Sequence, residues 1–193
     1  MSIKILLNNV HYLVSACIVL IIVGLFSGKV LAQTSKTIPA SIDGFNESEK
    51  EKKAILAKRE QWRQTFEAKN VESIMTYYVP DILSYDLMAP LQFEGASMWR
   101  ENWINFFNAF KGDIQLTFED LTVFQSGNLA TIRGLTRLQG TTVHGEELDM
   151  WTRETNVMRK INGEWLIVHD HVSVPMSFET GKALINLKPM DDH

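Results

Sequence analysis

From residue 114 to residue 175 the chain alternates apolar and polar residues with few interruptions, and this run decides what it can fold into. Strands are predicted over 114–125, 128–140, 147–160 and 164–175, with Ser126-Gly127-Asn128 and Ile161-Asn162-Gly163 as hairpin turns. Four long strands joined by tight turns make an antiparallel meander, and one face of it must be covered. The preceding sequence supplies the cover. Ser48-Glu49-Lys50-Glu51 is a capping-box pattern opening a helix to about Lys69, with Ile55, Trp62 and Phe66 on one face. Asn70 suits the cap of a short second helix that ends at Pro80. Residues 81–87 read as a short strand and 88–95 as a loop. A third helix over 96–110 carries Trp99, Trp103, Phe106, Phe107 and Phe110 at i, i+4, i+7, i+8 and i+11, a broad aromatic face. The fold class is α+β, with three N-terminal helices on one face of a curved antiparallel sheet.

The first 32 residues are of another kind. They hold Lys4, an apolar run from Tyr12 to Phe26, and the small-residue site Val30-Leu31-Ala32 before Gln33. This is the layout of a secretory signal peptide, and the run is short for a membrane span. The expected division is a signal peptide over 1–32, a flexible linker over 33–47, one domain over 48–182 and a tail over 183–193. Losing Lys4 and Lys29 with no acid takes the formal net charge from −4 to −6. An acidic product of export, periplasmic or secreted, is a poor partner for nucleic acid or for an anionic membrane surface. The single cysteine, Cys17, leaves with the leader, so the mature chain has neither disulfide nor thiol chemistry.

The last strand, Trp165-Leu166-Ile167-Val168-His169-Asp170-His171-Val172, enters as core and then places two imidazoles and a carboxylate in its middle. Simple alternation puts Trp165, Ile167, His169, His171 and Ser173 on one face, and Leu166, Val168, Asp170 and Val172 on the other. Two same-face histidines with Asp149 also suggest a metal, but the ligand set is incomplete and none is expected. There is no Gly-x-Ser-x-Gly elbow, phosphate loop or dinucleotide fingerprint, so no cofactor is implied. Asp86 ends a strand before Leu87-Met88-Ala89-Pro90-Leu91. An apolar mouth of that kind desolvates a carboxyl and suits it to moving protons beside a carbonyl; the plainer reading is a loop cap. Trp103, Trp151, Tyr85 and Met88 read either as core or as the wall of an apolar cavity. Arg137 and Asp149 read as an ion pair at its rim.

The helix order, "YYVPD", "ILSYD", "LMAPLQFEG", "DMWTRET" and the closing "GEWLIVHDHVSVP" together resemble the SnoaL-like and ketosteroid-isomerase-like group of the nuclear transport factor 2-like superfamily. The resemblance spans about residues 48–182. It implies a cone: a bent sheet wrapped on its helices, with a pocket at the open end and dimers formed through the outer sheet face. It implies that His169, His171 and Ser173 line the pocket, that Asp86 stands where the isomerases carry their general base, and that Trp62 stands where they carry an oxyanion-binding tyrosine. A tryptophan there departs from the isomerase pattern.

Hairpin register decides the histidines' partners. A three-residue turn over 161–163 sets Arg153 opposite His171, whereas a two-residue Asn162-Gly163 turn sets Glu154 there and turns Arg153 away. The residues leave both open; the resemblance favours the first. The expected function is therefore an exported domain that binds a small, mainly apolar molecule bearing a carbonyl or carboxylate. Its chemistry, if any, is cofactor-free proton transfer of isomerase, cyclase or dehydratase type. Asp86 would act as base, His169 and His171 as proton carriers, and Arg153 with Trp62 as the oxyanion side. A non-catalytic binding or dimerisation module is the alternative.

Overall fold

The computed structural model describes residues 42–190, with side chains from residue 48. The leader over 1–32 and most of the linker lie outside the described residues, as do residues 191–193. Helix α1 (Ile42–Glu67) begins earlier than the capping box suggests. Ser48 does not cap it: its hydroxyl donates to Gln125 Oε1 at 3.1 Å, and Glu51 accepts from Lys160 Nζ and Trp165 Nε1, each at 2.7 Å. The box residues thus tie the helix to the sheet. Helix α2 (Val71–Met75) is capped as expected, with Asn70 Oδ1 accepting from Ser73 N at 3.0 Å.

Strand β1 (Tyr78–Tyr85) starts where helix was expected, because Tyr78, Val79 and Ile82 are all buried there. Pro80 lies in the register irregularity between Tyr78 and Leu83, where no ladder N–H is needed. The short β2 (Phe93–Glu94) and α3 (Ala96–Asn108) follow. Then come β3 (Phe110–Ser126), β4 (Leu129–Thr142), β5 (Glu147–Ile161) and β6 (Glu164–Ser173).

The six strands form one sheet in the order β2-β1-β6-β5-β4-β3. The meander is antiparallel as its turns dictate, but β1 runs parallel to β6, so the sheet is mixed. Among the described residues no helix is long and apolar enough to cross a membrane. Trp62 and Phe66 of α1 pack on Trp103, Phe106 and Phe107 of α3 with ring centroids 5.4–5.8 Å apart. Trp99 is 1% exposed and lies against Tyr78 and Phe93. The aromatic face read from the sequence is the floor on which the sheet bends.

Register shifts bend the strands, one of them in β3 between Lys111 and Ile114. In β3 the register shifts again between Glu119 and Thr122, where Asp120 has φ 55°. Gly134 faces that bulge: a Cβ there would meet Leu121 Cδ2 at 2.7 Å and Glu119 O at 2.9 Å. In β6 the pairing passes from Met158↔Ile167 to Val157↔His169, which leaves Val168 as the extra residue.

The β5–β6 connection is the two-residue turn, Ile161↔Glu164, with Asn162 at φ 52° and Gly163 at φ 88°. Both residues adopt the left-handed conformation that a type I′ turn demands. The three-residue alternative is thereby excluded. Glu154 takes the inner face and Arg153 the outer one.

Candidate functional site

A cavity of about 90 Å³ lies between α1, α3 and the inner sheet face. Its walls are largely indole and phenyl rings: Trp62, Phe66, Trp99, Trp103 and Phe106. Three carboxyls enter it, those of Asp86, Glu154 and Asp170.

Asp170 faces inward because of the bulge. Trp165 and Ile167 point to the core as alternation requires; the extra residue at Val168 then reverses the parity. Asp170 is 3% exposed. Asn156, directly opposite on β5, donates Nδ2–H to Asp170 Oδ1 at 2.7 Å. Burial pushes the Asp170 pKa well above the ordinary carboxyl range, and the neighbouring Glu154 and Asp86 push it the same way; the Arg59 guanidinium opposes them. The apolar chamber therefore favours the protonated form of Asp170. Tyr78 Oη accepts from Trp62 Nε1 at 3.1 Å, and burial with the nearby Asp170 holds its proton on.

Arg59 lies on the Ile55–Trp62–Phe66 face of α1 and is 4% exposed. Its guanidinium sits between the Trp62 and Phe118 rings, 4.2 and 4.3 Å from their centroids. Nη2 donates to Glu154 Oε2, which also accepts from Thr136 Oγ1 at 2.7 Å. Nε and Nη1 are buried without a protein partner. Asp86 lies at the mouth, held by Asn102 Nδ2 at 2.7 Å and by the N–H of Leu87.

Asp86, Trp62 and Trp103 line the cavity. Trp62 cannot also serve as an oxyanion donor, because its one N–H is given to Tyr78. His169, His171 and Ser173 were expected inside; the bulge puts them on the outer face with Arg153, so none of them reaches the cavity. His169 Nδ1 lies 2.8 Å from Leu83 O, and the Tyr85 ring is edge-on to both imidazoles at 4.8 and 5.7 Å. Tyr85 is thus outside as well, and Met88 is 62% exposed and does not line the cavity.

Arg137 and Asp149 do pair, at 2.7 and 2.6 Å, on the outer face beside Trp151, where residues 188–190 pass. Among the described residues no three metal-ligating side chains converge.

Sequence reasoning missed Asp170, Arg59, Asn156, Tyr78 and Asn102 as site residues. One signal was available: a lone arginine on an apolar helix face needs a buried acid.

The SnoaL-like domain family matches residues 55–177. The chain belongs to that family. Its SnoaL-like domain is similar to an NTF2-like protein of unknown function from Pseudomonas putida, with 31% identity over 71% of this chain and 95% of that one, and a TM-score of 0.66. It shares its fold with the association domain of CaMKII from C. elegans (18% identity, 67% and 99% covered, TM-score 0.56). The same holds for a ketosteroid isomerase-like protein from Erwinia carotovora atroseptica (18% identity, 57% and 85% covered, TM-score 0.51). No curated protein matches.

Proposed function

We propose that the SnoaL-like domain holds the carbonyl end of a small neutral molecule in its cavity and moves a proton on it without a cofactor. The observation that carries this reading is Asp170: a buried carboxyl, pushed toward its protonated form by desolvation and by its acidic neighbours, that shares an aromatic-walled chamber with Asp86. Asp170 donates a hydrogen bond to the carbonyl oxygen, where negative charge grows as a neighbouring C–H is lost. Asp86, anchored by Asn102, takes that proton. A carboxylate-bearing ligand, equally expected from the sequence, is disfavoured because three carboxyls and no basic side chain line the cavity among the described residues. Arg153 is outside, and Arg59 is held by Glu154.

Exchange of the methyl protons of acetone for deuterium, followed by NMR in D2O, tests the chemistry without a known substrate. The wild-type domain is expected to exceed buffer, and Asp86→Asn to lose roughly 100-fold or more of that excess. Asp170→Asn should lower the rate while leaving acetone bound. No exchange by wild type, with acetone still bound, would establish the non-catalytic binding module instead.

Export and pairing through the outer sheet face belong to the same proposal. They are supported by the leader pattern of residues 1–32, by the half-buried outer residues Leu135 and Val157, and by the likeness to an association domain. Native mass spectrometry of the purified mature protein reads both: a dimer of chains beginning at Gln33 is expected, and a monomer would remove the pairing.

A further inference from the structure

The cavity is too small for most metabolites. An apolar cavity of about 150 Å³ takes one benzene, so about 90 Å³ takes roughly four heavy atoms. The chamber does not end at its mouth, however. Beyond Tyr85, which pairs with His171, β1 has ended and β6 continues alone on that side. The chain from Asp86 to Gln92 swings away, and an open groove of about 530 Å³ lies between it and residues 171–174. Asp86, Leu87 and Val172 line both spaces. One side of the groove is apolar, with Leu87, Leu91, Val172 and Val174. Leu91 is 91% exposed although it borders this groove. Tyr85, His171 and Ser173 form the polar side.

We propose that this groove is the outer chamber of the ligand site, so that the ligand is an extended molecule with a small carbonyl head and an apolar tail lying on Leu87, Leu91 and Val174. This rests on the reading of the cavity as a carbonyl site. The head fills the inner chamber beside Asp170. The neck passes Asp86, which places that carboxylate beside the carbon next to the carbonyl. The tail then covers Leu91, a side chain left 91% exposed among the described residues. His171 and Ser173 return to the ligand path from the outer side, as groove lining and not as proton carriers.

Methyl ketones of increasing length separate the two chambers. Binding of acetone and of 2-nonanone to the mature protein is measured by NMR, with the indole N–H signals of Trp99 and Trp103 reporting the head. Each methylene laid on the groove is expected to tighten binding by about two- to fourfold, so 2-nonanone should bind at least tenfold more tightly than acetone. Leu91→Gln, at an exposed position, should remove most of that gain and leave acetone unchanged. Acetone binding with no gain for 2-nonanone overturns the outer chamber and leaves the cavity reading intact. A gain that Leu91→Gln and His171→Ala both leave untouched places the tail elsewhere and also overturns it. If neither ketone moves the indole signals, the carbonyl reading and the outer chamber fall together.

Discussion

Replacing Arg59 by leucine is expected to destabilise the fold by about 3–5 kcal/mol, the range for removing one partner of a buried ion pair. The guanidinium and the Glu154 carboxylate are almost wholly out of water, with side-chain exposures of 3% and 10%. Their attraction offsets a desolvation cost of several kcal/mol for each ion. Take away the cation, and Glu154 is left with only the Thr136 hydroxyl, in a chamber that already holds Asp170 and Asp86. It must take up a proton or draw water into the aromatic floor. The lost cation–ring contacts matter too, since the Arg59 guanidinium lies between Trp62 and Phe118.

The same physics makes a second outcome informative. Arg59→Leu combined with Glu154→Leu removes both charges and should recover most of the loss, because a well-packed apolar pair is often as stable as a buried ion pair. Urea unfolding of the two single variants and the double variant gives the coupling directly, provided the denaturant slope stays constant. A single Arg59→Leu variant within about 1 kcal/mol of wild type would mean that the pair is not desolvated as the structure shows.

The fold was legible because its main signals are local. Alternation, two hairpin turns and an aromatic stripe at helical spacing each specify an element through its own residues. The site was less legible because it depends on one inserted residue. Nothing in Trp165-Leu166-Ile167-Val168-His169-Asp170 marks Val168 as a bulge, yet that residue decides whether imidazoles or a carboxyl enter the cavity. Strict alternation gave the imidazoles.

A physical hint was present in the register problem. The favoured three-residue turn set Glu154 directly opposite Asp170, a like-charge pair that a sheet avoids. The observed register sets Asn156 there instead, as a donor. Arg59 was the other hint, since its place on the Ile55–Trp62–Phe66 stripe requires an acid on the inner sheet face, and Glu154 is that acid. Asp86 was legible for a different reason: a carboxyl between a strand end and an apolar loop needs no register to be placed.

The stability of the domain should fall as pH rises above the ordinary carboxyl range, and Asp170 is the cause. In the unfolded chain its carboxyl titrates near pH 4, as an exposed aspartate does. In the folded protein burial, Glu154 and Asp86 hold its proton on to much higher pH, against the pull of Arg59. Between those two values the folded state carries a proton that the unfolded state has lost. Raising the pH then favours unfolding, by up to about 1.4 kcal/mol per pH unit for one proton. Below pH 4 both states are protonated and Asp170 contributes no slope; above its folded pKa the loss is complete and the slope ends.

Glu51 acts in the opposite sense. Its pKa is lowered by the Lys160 ammonium and the Trp165 N–H, so its contribution is present above the ordinary glutamate range and is lost as pH falls through the folded value. The two groups together predict a stability maximum on the acid side of neutrality. Asp170→Asn removes only the alkaline arm. The amide keeps the shape and cannot ionise, so thermal unfolding of this variant should show a smaller decline between pH 5 and pH 8 than wild type. It should also be the more stable protein at pH 8. Parallel pH profiles for the two proteins would show that Asp170 titrates as an ordinary carboxyl, and the acid half of the proposed chemistry would go with it.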